Sequence, residues 1–204
     1  RTMKNIVKIL IGFFIILSAL VGYNFNPAYM YQLTFISNAL CGLLLMTDGL
    51  VVMITKKSLP VILYQFVLPC ILTSFCSVFF VIFGWHDFNF SGMFFFMHVI
   101  NPVVVLAMYL FTTKLELKDK TDYVRRIFIA PAFVVSYALF DYIRFLITGD
   151  LVYGLVSAEN LTFINAFIIG VCFYASIAFM SYGLLELKLY VQKKMEEKTN
   201  LLNT

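Results

Sequence analysis

Charged residues are scarce in this chain of 204 residues: they make up 13% of it, whereas hydrophobic residues make up 62%. Soluble domains have about half of their residues apolar and about a quarter charged. The composition therefore excludes a soluble enzyme and a disordered chain. It also excludes a disulfide-stapled secreted module, and the four cysteines lie within apolar stretches with no CxxC pair, where we expect buried thiols that pack as small hydrophobic residues.

Alternation of polar and apolar residues is absent from the hydrophobic stretches. The strands of an outer-membrane barrel alternate in this way over about ten residues, so a barrel is disfavoured. The chain instead has long apolar runs, each long enough to cross a hydrocarbon core of ~30 Å as a helix. We predict an all-α polytopic membrane protein, a single domain over 1–204 with six transmembrane helices in one bundle. The predicted helices are about 5–23, 29–54, 60–83, 93–113, 124–147 and 161–187.

Positive charge is missing from every loop on one side of this predicted bundle. If the N-terminus is inside, fourteen of the fifteen Lys and Arg residues lie at the inside ends of the predicted helices. The charged residues of the outside loops are all acidic: Asp87, Asp150 and Glu159. The positive-inside rule then predicts that both termini are cytoplasmic and that the chain is integral to the cell (plasma) membrane. The net charge of +4 reflects this topology and contact with anionic lipid headgroups, so we expect the bilayer, and no nucleic acid, as a partner.

Polar side chains within the predicted helices concentrate in the outer half of the bundle, where they are costly and often mark a site. At 1.5 Å per residue, Thr34 lies roughly 8 Å below the outer boundary and Asn38 one turn deeper. His98 has about the same depth in the fourth helix, and Asn101 shares its face. Each of these polar residues could instead be structural, since polar side chains also form hydrogen bonds between neighbouring membrane helices. Ser18, Ser77 and Asn165 fall in the same layer, which predicts a polar cavity open toward the outer leaflet.

Thr34 and His98 together suggest acyl-transfer chemistry. The second histidine of the chain, His86, belongs to a predicted outside loop. His98 precedes Pro102 by four residues, so its carbonyl loses the helical donor and the helix is liable to bend there. Burial favours the neutral imidazole that a general base requires, although a hydrogen-bonded core histidine is the other explanation. A threonine hydroxyl becomes a nucleophile when such a base takes its proton.

Other polar residues could complete such a site. Asn38, Asn101 or Ser37 could donate hydrogen bonds to an oxyanion, a contribution often worth a few kcal/mol. Asp141 and Arg144, three residues apart in the fifth predicted helix, either neutralise each other as an ion pair or hold a charged group of a ligand, a carboxylate or phosphate on the arginine. No three metal ligands come within reach, so we predict no metal and no cofactor.

Three segments resemble a known family. Leu33–Asn38 is similar to the (L/F)T-x-x-(S/T)N pattern of the androgen-induced (androgen-dependent TFPI-regulating type) six-helix membrane family and its bacterial relatives, Met97–Val103 resembles its H-x-x-x-P signature, and Tyr137–Arg144 looks like its Y…R run. Members of the human branch are intramembrane threonine hydrolases of fatty-acid esters of hydroxy fatty acids. By this resemblance Thr34 matches the nucleophile and His98 its partner.

The leading hypothesis is a membrane-embedded Thr/His hydrolase that cleaves an acyl ester of a lipid in an outer-leaflet cavity. Its partner is then a lipid or fatty-acyl substrate. The alternative is a small lipid-binding protein or transporter that uses the same polar pocket without catalysis, although the sequence has no inverted repeat. A third alternative is a structural subunit, for which a polar layer spread over all helices is unexpected.

Overall fold

The computed structural model describes residues 2–82, 91–152 and 162–202. Every regular element within these ranges is helical, which confirms the all-helical class. Parts of the predicted outside loops, with His86, Asp87 and Glu159, lie outside the described residues. The helices are α1 (Thr2–Gly22), α2 (Leu33–Thr55), α3 (Val61–Ile82), α4 (Met93–Thr112, with a π-helical turn at Phe96–Ile100), α5 (Lys120–Ile129), α6 (Pro131–Thr148) and α7 (Phe163–Leu202).

The helices have the length and composition of membrane spans. α1, α2, α4, the consecutive pair α5–α6 and α7 are each long and apolar enough to cross a bilayer, and α3 is a further apolar helix. Large apolar side chains lie on the surface, as on α1, where Leu10 is 61% and Phe13 is 55% exposed. Polar side chains such as Thr34, Asn38 and His98 are buried. This distribution suits a protein whose surroundings are hydrocarbon.

The contacts divide the chain into two compact units. The first contains Arg1–Glu116 and Glu186–Thr204, and the second contains Leu117–Leu185. Within the first unit, α1 packs extensively along α2, α2 packs on α3, and α3 packs on α4. The single six-helix domain that the sequence predicts stays a prediction.

Glycines allow α1 and α2 to approach closely. A Cβ atom built on Gly42 would lie 2.6 Å from the carbonyl oxygen of Gly12, and one built on Gly12 would lie 2.5 Å from the carbonyl oxygen of Gly42. A Cβ atom built on Gly49 would likewise lie 2.8 Å from the carbonyl oxygen of Asn5. Small residues are common where membrane helices pack, because dispersion contacts between close backbones hold them together.

The connection between α1 and α2 determines where α2 begins. Asn26 caps a short 3-10 helix, Pro27–Tyr29, and its side-chain oxygen accepts a hydrogen bond from the Ala28 N–H. Proline at the first position suits such a turn, because its ring fixes φ and it has no N–H to satisfy. The second helix therefore begins at Leu33 and not at 29 as predicted.

The last two predicted spans also differ at their ends. Asp119 caps α5 by accepting from the Asp122 N–H at 2.7 Å, so this helix begins within the charged run, and a new helix begins at Pro131. α7 continues well past 187 to Leu202. Charged residues support that extension through pairs such as Lys194 with Glu197, whose charged atoms are 2.8 Å apart.

Candidate functional site

The side chains of Thr34 and His98 meet in the interior of the first unit. Thr34 is the second residue of α2, and His98 lies in the π-helical turn of α4. Their exposed fractions are 4% and 1%. The distance between Thr34 Oγ1 and His98 Nε2 is 3.3 Å, slightly beyond the usual reach of a catalytic hydrogen bond, which is often looser without substrate.

The hydrogen bonds of His98 fix which ring nitrogen carries the proton. Its Nδ1 lies 2.8 Å from the carbonyl oxygen of Phe94, which can only accept. Nδ1 is therefore the protonated nitrogen of the neutral ring, and Nε2 has a lone pair toward the hydroxyl of Thr34. This tautomer lets His98 take a proton from Thr34.

The π-helical turn follows from Pro102. Proline has no N–H, so the α-helical pattern of hydrogen bonds cannot continue through it. The Asn101 N–H bonds the carbonyl of Phe96, five residues back, whereas in an α-helix it would bond the carbonyl of Met97. Asn38 of α2 donates to the Met97 carbonyl instead, at 3.3 Å. The irregular turn thus allows a hydrogen bond between α2 and α4 beside His98.

Two carboxamides bridge three helices below the Thr34–His98 pair. Asn38 Nδ2 donates to the Thr34 carbonyl at 2.8 Å as well as to Met97. Asn101 Nδ2 donates to Asn38 Oδ1 at 2.7 Å and to Ser18 Oγ of α1 at 2.9 Å. Each NH2 group has two hydrogens, and both are used in each residue. The two amides, which the sequence predicts as oxyanion donors, thus hold α1, α2 and α4 together. Donation to an oxyanion stays a prediction, and it requires one of these hydrogen bonds to break.

Ser37 also bonds the backbone of Thr34. Its hydroxyl donates to the Thr34 carbonyl at 3.1 Å and lies 3.3 Å from Ser74 Oγ of α3. Ser18, predicted in the same polar layer, belongs to this network, whereas Asn165 lies in the second unit. The side chain of Ser77 lies outside the described residues.

Asp141 and Arg144 lie in the second unit, near the end of α6. Asp141 Oδ1 accepts from the Val152 N–H at 2.8 Å, and Arg144 Nη1 donates to the Asp150 carbonyl at 2.7 Å. Both side chains therefore bond the backbone that follows the helix. A role for either residue toward a charged ligand stays a prediction.

A buried ionic cluster at the other end of α1 and α2 was missed by sequence reasoning. Lys8, counted as a cation of an inside end, is 4% exposed, and its Nζ lies 2.5 Å from Asp48 Oδ2. Tyr64 donates to the same carboxylate at 2.8 Å, and the Leu59 N–H donates to Asp48 Oδ1 at 2.8 Å. The signal was present, because Lys8 and Asp48 have matching depths in neighbouring antiparallel helices. The cluster connects α1, α2, α3 and the turn before α3.

A pocket of about 380 Å³ opens one helical turn from the Thr34–His98 pair. Its lining residues come from the end of α1, the following turn and the start of α4, and differ from the buried polar residues predicted to line a cavity. They are Gly22, Tyr23, Asn24, Asn26, Tyr29, Gln32 and Phe94.

Metal ligands are not grouped in the described ranges: no three His, Cys, Asp or Glu side chains there are placed to hold an ion. The four cysteines are free thiols. Comparisons of the chain with protein families, with curated proteins and with solved structures found no match.

Proposed function

We propose that the chain is a membrane-embedded hydrolase that cleaves an acyl ester of a lipid, with Thr34 as nucleophile and His98 as general base. One observation carries the proposal: Thr34 Oγ1 is 3.3 Å from a histidine nitrogen whose lone pair is kept available by the bond from Nδ1 to Phe94. The resemblance noted in the sequence implies the same two roles, and the substrate proposed here is the broader class of lipid acyl esters.

The proposed reaction has two steps. Thr34 Oγ1 attacks the ester carbonyl while His98 Nε2 takes the hydroxyl proton, and the tetrahedral intermediate collapses as His98 returns that proton to the leaving alcohol. Water then attacks the acyl-threonine, and His98 accepts a proton from it. Departure of the carboxylic acid restores the Thr34 hydroxyl with the proton from His98. The sum is ester plus water giving acid plus alcohol.

The oxyanion of this intermediate needs stabilisation that the occupied amides of Asn38 and Asn101 do not offer in the described geometry. Thr34 is the second residue of α2, whose N-cap residue Gln32 makes no side-chain capping bond. The N-terminal end of a helix carries the positive end of its dipole, so a negative charge that develops at Thr34 is favoured there. We propose this end of α2 as the main electrostatic support, and a structural role for the two asparagines, which hold α1, α2 and α4 together.

We propose an N-in, C-in topology with six crossings of the cell membrane. The support is the distribution of Lys and Arg, since fourteen of fifteen lie at the inside ends of the predicted spans. In this topology the Thr34–His98 pair and the nearby pocket lie toward the outer leaflet, so a lipid ester reaches them from that side.

Binding or transport without catalysis is the second candidate, because the described lining of the open pocket lies beside the pair and does not include it. Thr34 and His98 are almost closed to solvent, and no buried side-chain nitrogen or oxygen in the described part of the chain lacks a hydrogen-bond partner. A polar network that is satisfied without a ligand also suits a purely structural bond between α2 and α4.

Substitution of the pair separates these candidates. Thr34→Ala and His98→Ala should each lower hydrolysis of a long-chain acyl ester by at least about 10³-fold, and the two losses should not add, because both residues serve one step. Thr34→Ser keeps a hydroxyl and should keep part of the activity. A matched control is Thr73→Ala in α3, whose hydroxyl bonds its own helix at Pro69.

Covalent labelling provides a second readout. A fluorophosphonate should label the wild type and Thr34→Ser but not Thr34→Ala, with every variant checked for folding by size exclusion. If Thr34→Ala hydrolyses the ester and is labelled as well as the wild type, the threonine mechanism is wrong and the binding candidate takes its place.

A further inference from the structure

The pocket next to the Thr34–His98 pair has a chemistry of its own. Its described lining residues include three carboxamides, Asn24, Asn26 and Gln32, and two phenols, Tyr23 and Tyr29, and none of these described residues is charged. Amides and phenols both donate and accept hydrogen bonds, as hydroxyl groups do. A pocket of this kind suits a neutral ligand with several hydroxyls.

Two of the carboxamides are already oriented by the protein. Gln32 Oε1 accepts from the Tyr23 hydroxyl at 2.7 Å, and Asn26 Oδ1 accepts from the Ala28 N–H at 3.0 Å. With these oxygens engaged, the NH2 groups of Gln32 and Asn26 are the ends left to donate to a ligand oxygen. Preoriented donors lower the cost of ordering side chains on binding.

In the part of the chain that the structure describes, no lining residue offers a counter-charge to an anionic ligand. The described Lys residues that begin α1 or follow α2 and α4 lie at the opposite ends of these helices from the pocket: Lys4, Lys8, Lys56, Lys57 and Lys114. Carboxylates and phosphates are normally recognised by Arg or Lys, whose charge offsets the loss of hydration. The lining therefore favours a neutral head group over a carboxylate or phosphate.

Phe94 connects the pocket to the proposed catalytic pair. Its ring lines the pocket and stacks on the imidazole of His98, with ring centroids 6.2 Å apart and an interplanar angle of 20°. Gln32, on the other wall, precedes Thr34 by two residues. The pocket lining thus includes residues two and four positions along the chain from Thr34 and His98, which places a bound head group next to the proposed catalytic pair.

We infer that this pocket binds the neutral, hydroxyl-bearing head group, a glycerol or a sugar, of the ester that Thr34 cleaves. The inference rests on the proposed function and narrows its substrate class. It departs from the hydroxy-fatty-acid esters that the resemblance implies, because those substrates carry a free carboxylate.

The first test compares substrates that share one acyl chain. Full-length protein in nanodiscs is assayed with monooleoylglycerol, an oleoyl glucose ester, the oleoyl ester of a hydroxy fatty acid and methyl oleate. We expect kcat/KM for the glycerol or the glucose ester to exceed that for the carboxylate-bearing ester by at least about 10²-fold. The ratio between the first two identifies glycerol or sugar. Equal or higher kcat/KM for the carboxylate-bearing ester overturns the inference.

Variants of the lining make the test specific. Gln32→Met and Tyr29→Phe each remove one hydrogen-bonding group, and each should lower the kcat/KM ratio of the preferred ester to methyl oleate about tenfold. The matched control is Tyr190→Phe on α7: Tyr190 is 62% exposed and lies outside the described pocket lining, so this variant should leave the ratio unchanged. Tyr29 is 48% exposed, so Tyr29→Phe keeps the test valid if Gln32→Met does not fold. An unchanged ratio in a folded Tyr29→Phe protein counts against the pocket.

A binding measurement separates failure of this inference from failure of the proposed function. Titration calorimetry of Thr34→Ala protein with a non-hydrolysable 1-O-alkylglycerol, an alkyl glucoside and an alkyl carboxylate reports on the pocket alone. Tighter binding of a neutral ligand, weakened about tenfold by Tyr29→Phe, supports the pocket even if no ester is hydrolysed. If the rate of hydrolysis does not depend on the head group and no ligand binds preferentially, the inference about the pocket is wrong while the proposed hydrolase function stands.

Discussion

Replacement of Gly42 by alanine tests the close packing on which the site is built. The new Cβ would lie 2.6 Å from the carbonyl oxygen of Gly12 and 2.6 Å from Cγ1 of Ile16, whereas ordinary contacts begin near 3.4 Å. α1 must therefore move away by roughly 0.8 Å, because the backbone of Gly12 cannot rotate aside as a side chain can. Overpacking of this kind costs about 1–3 kcal/mol.

Thermal unfolding in detergent, followed with a thiol-reactive dye, measures this cost. Cys41 and Cys70 are fully buried and become reactive only as the first unit opens. We expect Gly42→Ala to lower Tm by roughly 2–12 °C, given about 2–4 °C per kcal/mol for a chain of this size. The matched control is Gly183→Ala, where a Cβ meets no described atom within 4 Å, and Tm should stay constant or rise slightly. Equal shifts in the two variants would refute the close approach of α1 and α2.

Three further predictions concern the buried polar groups and the topology. Asp48→Asn and Lys8→Met should each lower the free energy of unfolding by about 3–5 kcal/mol, because each leaves a buried charge without its counter-charge. The double variant should lose less than the sum of the two, and additive losses would contradict the ion pair. Asn38→Ala should cost about 1–3 kcal/mol of stability with unchanged turnover per folded molecule. A loss of turnover on the order of 10²-fold at normal stability would instead indicate that Asn38 is an oxyanion donor. A reporter fused after Thr204 should read cytoplasmic, and Asn26→Cys should react with an impermeant reagent from outside; reaction only after permeabilisation would reverse the topology.

The two polar centres of the first unit differ in what they offer to function. The Lys8–Asp48–Tyr64 cluster is a salt bridge whose carboxylate receives three donors from different parts of the chain. Such a cluster holds helices in register and is costly to disturb. The Thr34–His98 pair instead places a hydroxyl beside an imidazole nitrogen with an available lone pair, which is the arrangement that proton transfer during acyl transfer requires. This difference is one physical reason to place the proposed chemistry at the N-terminal end of α2 and support nearer its C-terminal end.

The sequence by itself determined the helical class and the approximate limits of the apolar helices. Their cause is local, because a chain in hydrocarbon must satisfy its backbone hydrogen bonds within each segment, and a long apolar run shows where that occurs. The irregular turn before Pro102 is local for the same reason, since a missing N–H is visible in the sequence. Counting at 1.5 Å per residue likewise put Thr34 and His98 at one depth.

Only the tertiary structure decided which side chains at one depth touch. Depth is one coordinate, and it does not say which neighbour each helix face meets. Thr34 and His98 meet, while the hydrogens of Asn38 and Asn101 are used to bridge α1, α2 and α4. Lys8 faces Asp48 and not the lipid headgroups, because an antiparallel packing of α1 on α2 brings the two ionic side chains together in the interior, where each lowers the desolvation cost of the other.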